Sequence, residues 1–131
     1  MAEATLTMQA NTHDPIHMVR ESCCQILDTA RSLSEAVSGL RLERRILHAS
    51  REIRLVLALC AAADQHQDLR TKLVFPIKQQ LAMALTYLEE ASAARWPMSI
   101  KHRRQEIENV LAGTFPAVKA LDGEMATHKG I

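Results

Sequence analysis

The chain of 131 residues is poor in aromatic residues, glycine and proline. Phe, Trp and Tyr make up only 3% of it, and it has four glycines and four prolines. A β-protein needs more turn residues and more β-branched and aromatic residues than this composition supplies. Alanine and leucine are plentiful instead, and both are strong helix formers. The composition therefore predicts an all-α protein.

The sequence also gives no sign of disulfides, membrane spans or an export signal. The three cysteines, Cys23, Cys24 and Cys60, have an odd count and no scaffold spacing. The longest mostly apolar run, residues 55–63, is too short to span a bilayer. No basic segment followed by an apolar one precedes the first helix. We expect a single cytoplasmic domain with reduced cysteines and no membrane association.

The first helix has a clear start and a regular apolar seam. Asp14 is a favoured N-cap and Pro15 is favoured at the first helical position. From Ile16 to Leu40 the apolar residues recur at alternating spacings of three and four. A heptad seam of this kind requires a partner helix that packs at a shallow angle. Ser38-Gly39 marks the end of the helix.

Three further amphipathic segments follow and predict an antiparallel four-helix bundle over residues 13–122. Pro76 and Pro116 fall inside the third and fourth helices, where each either kinks or splits its helix. Ser99 is the expected N-cap of the fourth helix, and Phe115 is expected on its inward face. Residues 1–12 and 123–131 are expected to form flexible tails.

The familiar catalytic and metal-binding motifs are absent. There is no glycine-rich phosphate loop and no Glu-x-x-His pair of the kind that holds metals in helical bundles. We therefore predict no enzyme, no cofactor, no metal site and no small-molecule substrate. One alternative is a helical ribonuclease, because six residues separate Arg95 and His102, within the Arg-x(4–6)-His spacing of helical ribonuclease toxins. Trp96-Pro97 interrupts any helix across that interval.

The distribution of charge is more informative than the net charge of +1. Residues 41–54 hold five arginines against two glutamates, and residues 95–104 hold four Lys or Arg and no acid. Both stretches begin helices that should start at the same end of the bundle. Clustered arginines attract phosphates by charge and by bidentate hydrogen bonds. The predicted residues for nucleic-acid or partner binding are Arg41, Arg44, Arg45, Arg51, Lys101, Arg103 and Arg104.

Two other interpretations of these charges stay open. The arginines are also typical of a solvated helix face, where Glu106 and Glu108 could neutralise part of the charge. The protein could instead be an adaptor, chaperone or inhibitor that presents a helix face to another protein. Leu55, Leu57 and Leu59 cover every side of the second helix together with Val56, which predicts a homo-oligomer.

The layout of residues 16–121 resembles the accessory variability determinant family of diversity-generating retroelements. The resemblance includes the polar loop after the first helix and four short runs, which are Leu42-Glu43-Arg44-Arg45, Leu59-Cys60-Ala61-Ala62, Leu81-Ala82-Met83-Ala84-Leu85 and Met98-Ser99. The near-neutral charge and the two prolines within helices depart from that strongly basic family. The resemblance implies a homo-oligomeric barrel that binds a reverse transcriptase and its RNA through basic residues.

Overall fold

The computed structural model describes the backbone of residues 14–129 and the side chains of residues 14–126. These residues form four α-helices and two short 3-10 helices. The elements are α1 (Pro15–Ala36), α2 (Arg41–Gln65), a 3-10 helix (Gln67–Leu69), α3 (Arg70–Ala93), a second 3-10 helix (Met98–Arg103) and α4 (Arg104–Lys129). The predicted tail of residues 1–12 lies outside the described residues, and α4 continues past residue 122.

Helix α1 begins where the sequence predicts it. The carboxylate of Asp14 accepts a hydrogen bond of 3.1 Å from the backbone N–H of Ile16, and Pro15 opens the helix. The apolar seam is confirmed as far as Val37, because all its members up to that residue are buried. The last predicted member, Leu40, is 41% exposed. It lies beyond a turn in which the helical periodicity no longer holds.

The turn between α1 and α2 depends on Gly39. Its φ of +83° lies in the left-handed region, which glycine adopts without a steric penalty. The chain reverses there and α2 starts at Arg41. The inward face of α2 is as the sequence predicts, with Ile46, Ile53 and Cys60 among its buried residues.

Helices α3 and α4 each continue through a proline. Pro76 lies inside α3 and Pro116 lies inside α4, so each helix is one element and is not split. A kink at either proline stays a prediction. The predicted N-cap of the fourth helix is wrong, because Ser99 lies within the second 3-10 helix and α4 starts only at Arg104.

The four helices form the predicted antiparallel bundle. Each packs against its neighbours in the chain, and α1 packs against α4 to close the arrangement. Phe115 is 58% exposed, although the sequence places it inward, while Thr114 and Ala117 are buried in its place. The Thr114 hydroxyl can be buried because it donates a 2.7 Å hydrogen bond to the Val110 carbonyl oxygen.

One end of the bundle is joined by ion pairs, and we call it the paired end. It is the end where α1 and α3 begin. Arg70 of α3 pairs with Asp14, and its Nε lies 3.7 Å from Glu124 Oε1 of α4. Arg20 of α1 pairs with Asp64 near the end of α2. These contacts connect all four helices and help to fix their alignment.

Within residues 14–129, no helix has the length and apolar character needed to cross a membrane.

Candidate functional site

The predicted binding residues lie at the opposite end of the bundle, where α2 and α4 begin. Arg41, Arg44, Arg45 and Arg51 are exposed on the first half of α2. The remaining three, Lys101, Arg103 and Arg104, lie in the second 3-10 helix and at the start of α4. We call this the arginine end. Because α2 and α4 are diagonal in the bundle, the two groups occupy different sides of it.

Arg103 is bound within the protein. Its Nε donates a 2.7 Å hydrogen bond to Glu106 Oε2, and its Nη2 donates one of 2.7 Å to Ser32 Oγ of α1. The hydrogen bond from Arg103 holds the pKa of the Glu106 carboxyl below its ordinary value. Arg104 Nε also lies 3.5 Å from Glu108 Oε1. These two arginines therefore agree with the alternative interpretation of the charges, in which they belong to a solvated face and are paired with acids.

The arginines of α2 have a different environment. None of the five in this helix, Arg41, Arg44, Arg45, Arg51 and Arg54, makes an ion pair with a residue that the structure describes. Glu52, the second glutamate of residues 41–54, is directed towards α3. Its carboxylate accepts a hydrogen bond from the Gln80 amide. Like charges three or four residues apart on a helix repel each other weakly, and no ion pair in the described residues offsets that repulsion here.

Two further arginines extend this surface beyond the sequence prediction. Arg31 of α1 and Arg54 of α2 flank a groove of about 140 Å³ between the two helices. Arg54 belongs to the arginine-rich stretch, so the sequence contains a signal for it. Arg31 lies on another helix, and only the packing of α1 against α2 brings it to this groove.

A cleft opens at the arginine end between the start of α2 and the segment that follows α3. Its volume is about 590 Å³. Arg41 and Arg45 line one wall, and Arg95 lines the other. The remaining lining residues are apolar: Leu40, Leu42, Ala94, Trp96, Pro97 and Met98. No acidic residue is among them.

The cleft exists because the chain leaves α3 in an extended conformation. Ala94 has φ −69° and ψ 172°, and Pro97 has φ −58° and ψ 142°. Trp96 anchors this segment, because it is only 6% exposed and its indole Nε1 donates a 3.0 Å hydrogen bond to the Ala91 carbonyl oxygen. The anchored segment stands apart from α2 and leaves the concave space between them.

The ribonuclease alternative gains no geometric support from these residues. Arg95 lies in the extended segment at the cleft, whereas His102 is exposed in the second 3-10 helix. The structure gives no hydrogen bond between their side chains in the described part of the chain.

Three further titratable groups are held within the protein: His48 lies on α2 between Arg44 and Arg51, and Cys23 and Cys60 are buried in the core. His48 stacks on Tyr87 with ring centroids 4.0 Å apart, and its Nε2 lies 3.8 Å from Glu52 Oε1. Burial raises the pKa of the Cys60 thiol to about 12 and that of the Cys23 thiol further still. Among the described residues, no group of three His, Cys, Asp or Glu side chains could hold a metal ion.

Comparison of the chain with protein-family models, with curated proteins and with solved structures gives no match.

Proposed function

We propose that the protein is a non-enzymatic interaction protein that binds the phosphate backbone of a nucleic acid through the arginines of α2. The observation that carries this proposal is the difference in pairing. Arginines at the paired end bind carboxylates of other helices, while the five on α2 have no ion-pair partner in the described residues. A guanidinium without a carboxylate is free to make bidentate contacts with a phosphate.

The dimensions and composition of the surface support backbone contact without base recognition. Residues 41–54 are consecutive in one helix, so the arginines extend over roughly 20 Å. That length reaches several phosphates of a nucleic-acid strand. Single-stranded nucleic acid is usually held by bases stacked on aromatic side chains, and aromatic residues are scarce here. We therefore expect binding that depends on charge and varies little with sequence.

The layout resemblance to the accessory variability determinant family supports a particular context for this activity. In that context the partner would be a reverse transcriptase together with its RNA, and the chain would act as a homo-oligomer. Light scattering at micromolar concentration tests the oligomer, since a monomeric mass would contradict it.

Fluorescence anisotropy with a labelled RNA hairpin and a labelled DNA duplex tests the main proposal. For wild type we expect affinity to fall steeply between two salt concentrations, because phosphate contacts release counterions. In the variant Arg44→Gln/Arg51→Gln, the slope of log K against log salt should decrease by about 0.7–0.9 for each arginine that binds a phosphate in wild type.

The matched control is Lys72→Gln/Lys119→Gln, which removes the same charge from exposed positions on α3 and α4. Its salt dependence should stay close to that of wild type. Equal effects of the two double variants would show that only net charge matters. That result, or binding that does not respond to salt, would refute a site on α2.

A protein–protein adaptor is the second candidate, and exposed leucines on α2 favour it. Leu47 is 51% exposed and Leu55 is 49% exposed, so apolar side chains lie among the arginines. A partner protein that stays bound after nuclease treatment and is lost in Leu47→Ser/Leu55→Ser would support this function instead.

A further inference from the structure

The cleft at the arginine end has features that contact with a nucleic-acid backbone does not require. A phosphate backbone needs exposed positive charge, and the exposed arginines of α2 supply it. The cleft adds concavity and an apolar floor, and Arg95 brings a third guanidinium from a different part of the chain. Its volume of about 590 Å³ falls within the range of small-molecule sites.

The charges in the cleft have no acidic counterpart among residues 14–126. Arg41, Arg45 and Arg95 line the same space and make no ion pair with any residue in the described part of the chain. Arg41 and Arg45 are four residues apart in one helix, a spacing at which like charges repel. An anion held between the two walls would relieve this repulsion and accept charge-assisted hydrogen bonds.

The apolar lining favours a ligand that has an apolar part in addition to its anionic group. Met98 is 83% exposed and Leu40 is 41% exposed, so apolar area at the mouth of the cleft faces water. Covering such area stabilises a complex by roughly 25 cal/mol for each Å². Inorganic phosphate cannot cover it, whereas a ligand with an apolar body can.

Two of the apolar residues that line the cleft are held in place by packing. Trp96 is buried and hydrogen bonded at one wall, and Leu42, which is 3% exposed, belongs to the packed start of α2. A preformed site spends little of its binding energy on ordering itself.

From these observations we infer that the cleft binds a small organic anion. This ligand carries one carboxylate or phosphate group, which contacts the guanidinium groups of Arg41, Arg45 and Arg95. Its apolar body lies against Trp96, Pro97 and Met98. This site shares Arg41 and Arg45 with the nucleic-acid surface proposed on α2, but Arg95 and the apolar lining belong to the cleft alone.

Isothermal titration calorimetry of the full chain with octyl phosphate tests the inference, below the micellar concentration of the ligand. Octanoate carries the other head group on a similar chain, and the stronger of the two ligands identifies the preferred head. We expect saturable binding of one molecule per chain. Octanol lacks the charge and inorganic phosphate lacks the apolar chain, so each should bind at least about tenfold more weakly. Equal binding of octanol and octyl phosphate would overturn the role of the arginines.

Two double variants that remove the same charge distinguish binding in the cleft from general electrostatic attraction. Arg45→Gln/Arg95→Gln should weaken octyl phosphate binding by about tenfold to a hundredfold, because charged hydrogen bonds are removed. Arg51→Gln/Arg54→Gln, farther along α2 and outside the cleft lining, should leave it unchanged. Equal losses in the two variants would overturn the site, as would the absence of binding to a folded wild-type chain.

The same variants distinguish this proposal from the nucleic-acid proposal. Arg51→Gln/Arg54→Gln should weaken RNA binding without changing octyl phosphate binding. If Arg45→Gln/Arg95→Gln weakens only RNA binding, the cleft is an extension of the nucleic-acid surface, and the inference of a separate ligand is wrong.

Discussion

The two ends of the bundle use the same residue type in different ways. At the paired end, Arg20 and Arg70 each bind a carboxylate that another helix supplies. At the arginine end, Arg41, Arg45 and Arg95 line a cleft without a carboxylate. The first set holds helices together, and the second set is available to a ligand. Charge composition alone therefore does not identify a binding surface, because the intramolecular partners decide which charges are free.

The largest expected loss of stability comes from substitution of Trp96, which anchors the segment after α3 at the arginine end. Trp96→Ala should lower the free energy of unfolding by about 3–5 kcal/mol, because it removes a buried indole and its hydrogen bond to the Ala91 carbonyl oxygen. Trp96→Phe keeps most of the packing and should lose clearly less. Urea denaturation measures both. A loss below about 1 kcal/mol for Trp96→Ala would show that this end is loosely packed and the cleft is not preformed.

The fold was more accessible to sequence analysis than the cleft was. A seam such as Ile16 to Val37 depends on local periodicity, and an N-cap such as Asp14 depends on a hydrogen bond between residues close in sequence. The error at Phe115 has a local cause too, since the sequence pattern favoured a bulky apolar residue over Thr114, whose hydroxyl bonds within its own helix. Ser99 misled the prediction because a favoured cap residue also fits a 3-10 turn.

The cleft and the pairing pattern depend on contacts between distant positions. Arg70 and Asp14 are 56 residues apart, and Arg20 and Asp64 are 44 apart. No periodicity connects such residues. The cleft requires the path of the segment between α3 and the second 3-10 helix, and Arg95 meets α2 only because Trp96 fixes that path. From the sequence, Arg95 is a candidate only for ribonuclease activity, which is a different chemistry.

At the paired end, Asp14 has two separable roles. Asp14→Ala should cost about 2 kcal/mol, roughly half from the lost N-cap and half from the ion pair with Arg70. Asp14→Asn keeps a good N-cap but removes the charge, so it should lose only the second part. The exposed Asp28, which has no ion pair among the described residues, is the control, and Asp28→Ala should stay within about 0.5 kcal/mol of wild type. If Asp14→Ala and Asp28→Ala lowered the free energy of unfolding equally, the paired end would not be a distinct region of the protein.

The arginine end also holds two ion pairs, Arg103–Glu106 and Arg104–Glu108. The pH dependence of the first sharpens the comparison. The folded protein lowers the pKa of Glu106, chiefly through the hydrogen bond from Arg103. A lowered carboxyl pKa contributes stability above the unfolded value of about 4.3, and that contribution is lost as pH falls through the folded pKa.

Glu106→Gln should therefore be less stable than wild type by about 0.2–1 kcal/mol at pH 7, the range of a surface pair. The difference should shrink as the pH falls below about 4. Chemical denaturation at a series of pH values measures it. A difference that stays constant down to pH 2 would mean that packing, and not charge, explains the loss.

The smallest expected effect on stability is at the arginines of α2. Arg44→Gln/Arg51→Gln should change the free energy of unfolding by less than about 0.5 kcal/mol, because neither side chain has an ion pair to lose among the described residues. Relief of repulsion along the helix favours a slight gain. Arg20→Gln, which removes one ion pair at the paired end, should cost up to about 1 kcal/mol. A double variant that loses as much as Arg20→Gln would show that the α2 arginines serve the fold. A double variant that keeps its stability and loses nucleic-acid binding would separate the two ends by function, because the α2 arginines would then serve binding and not the fold.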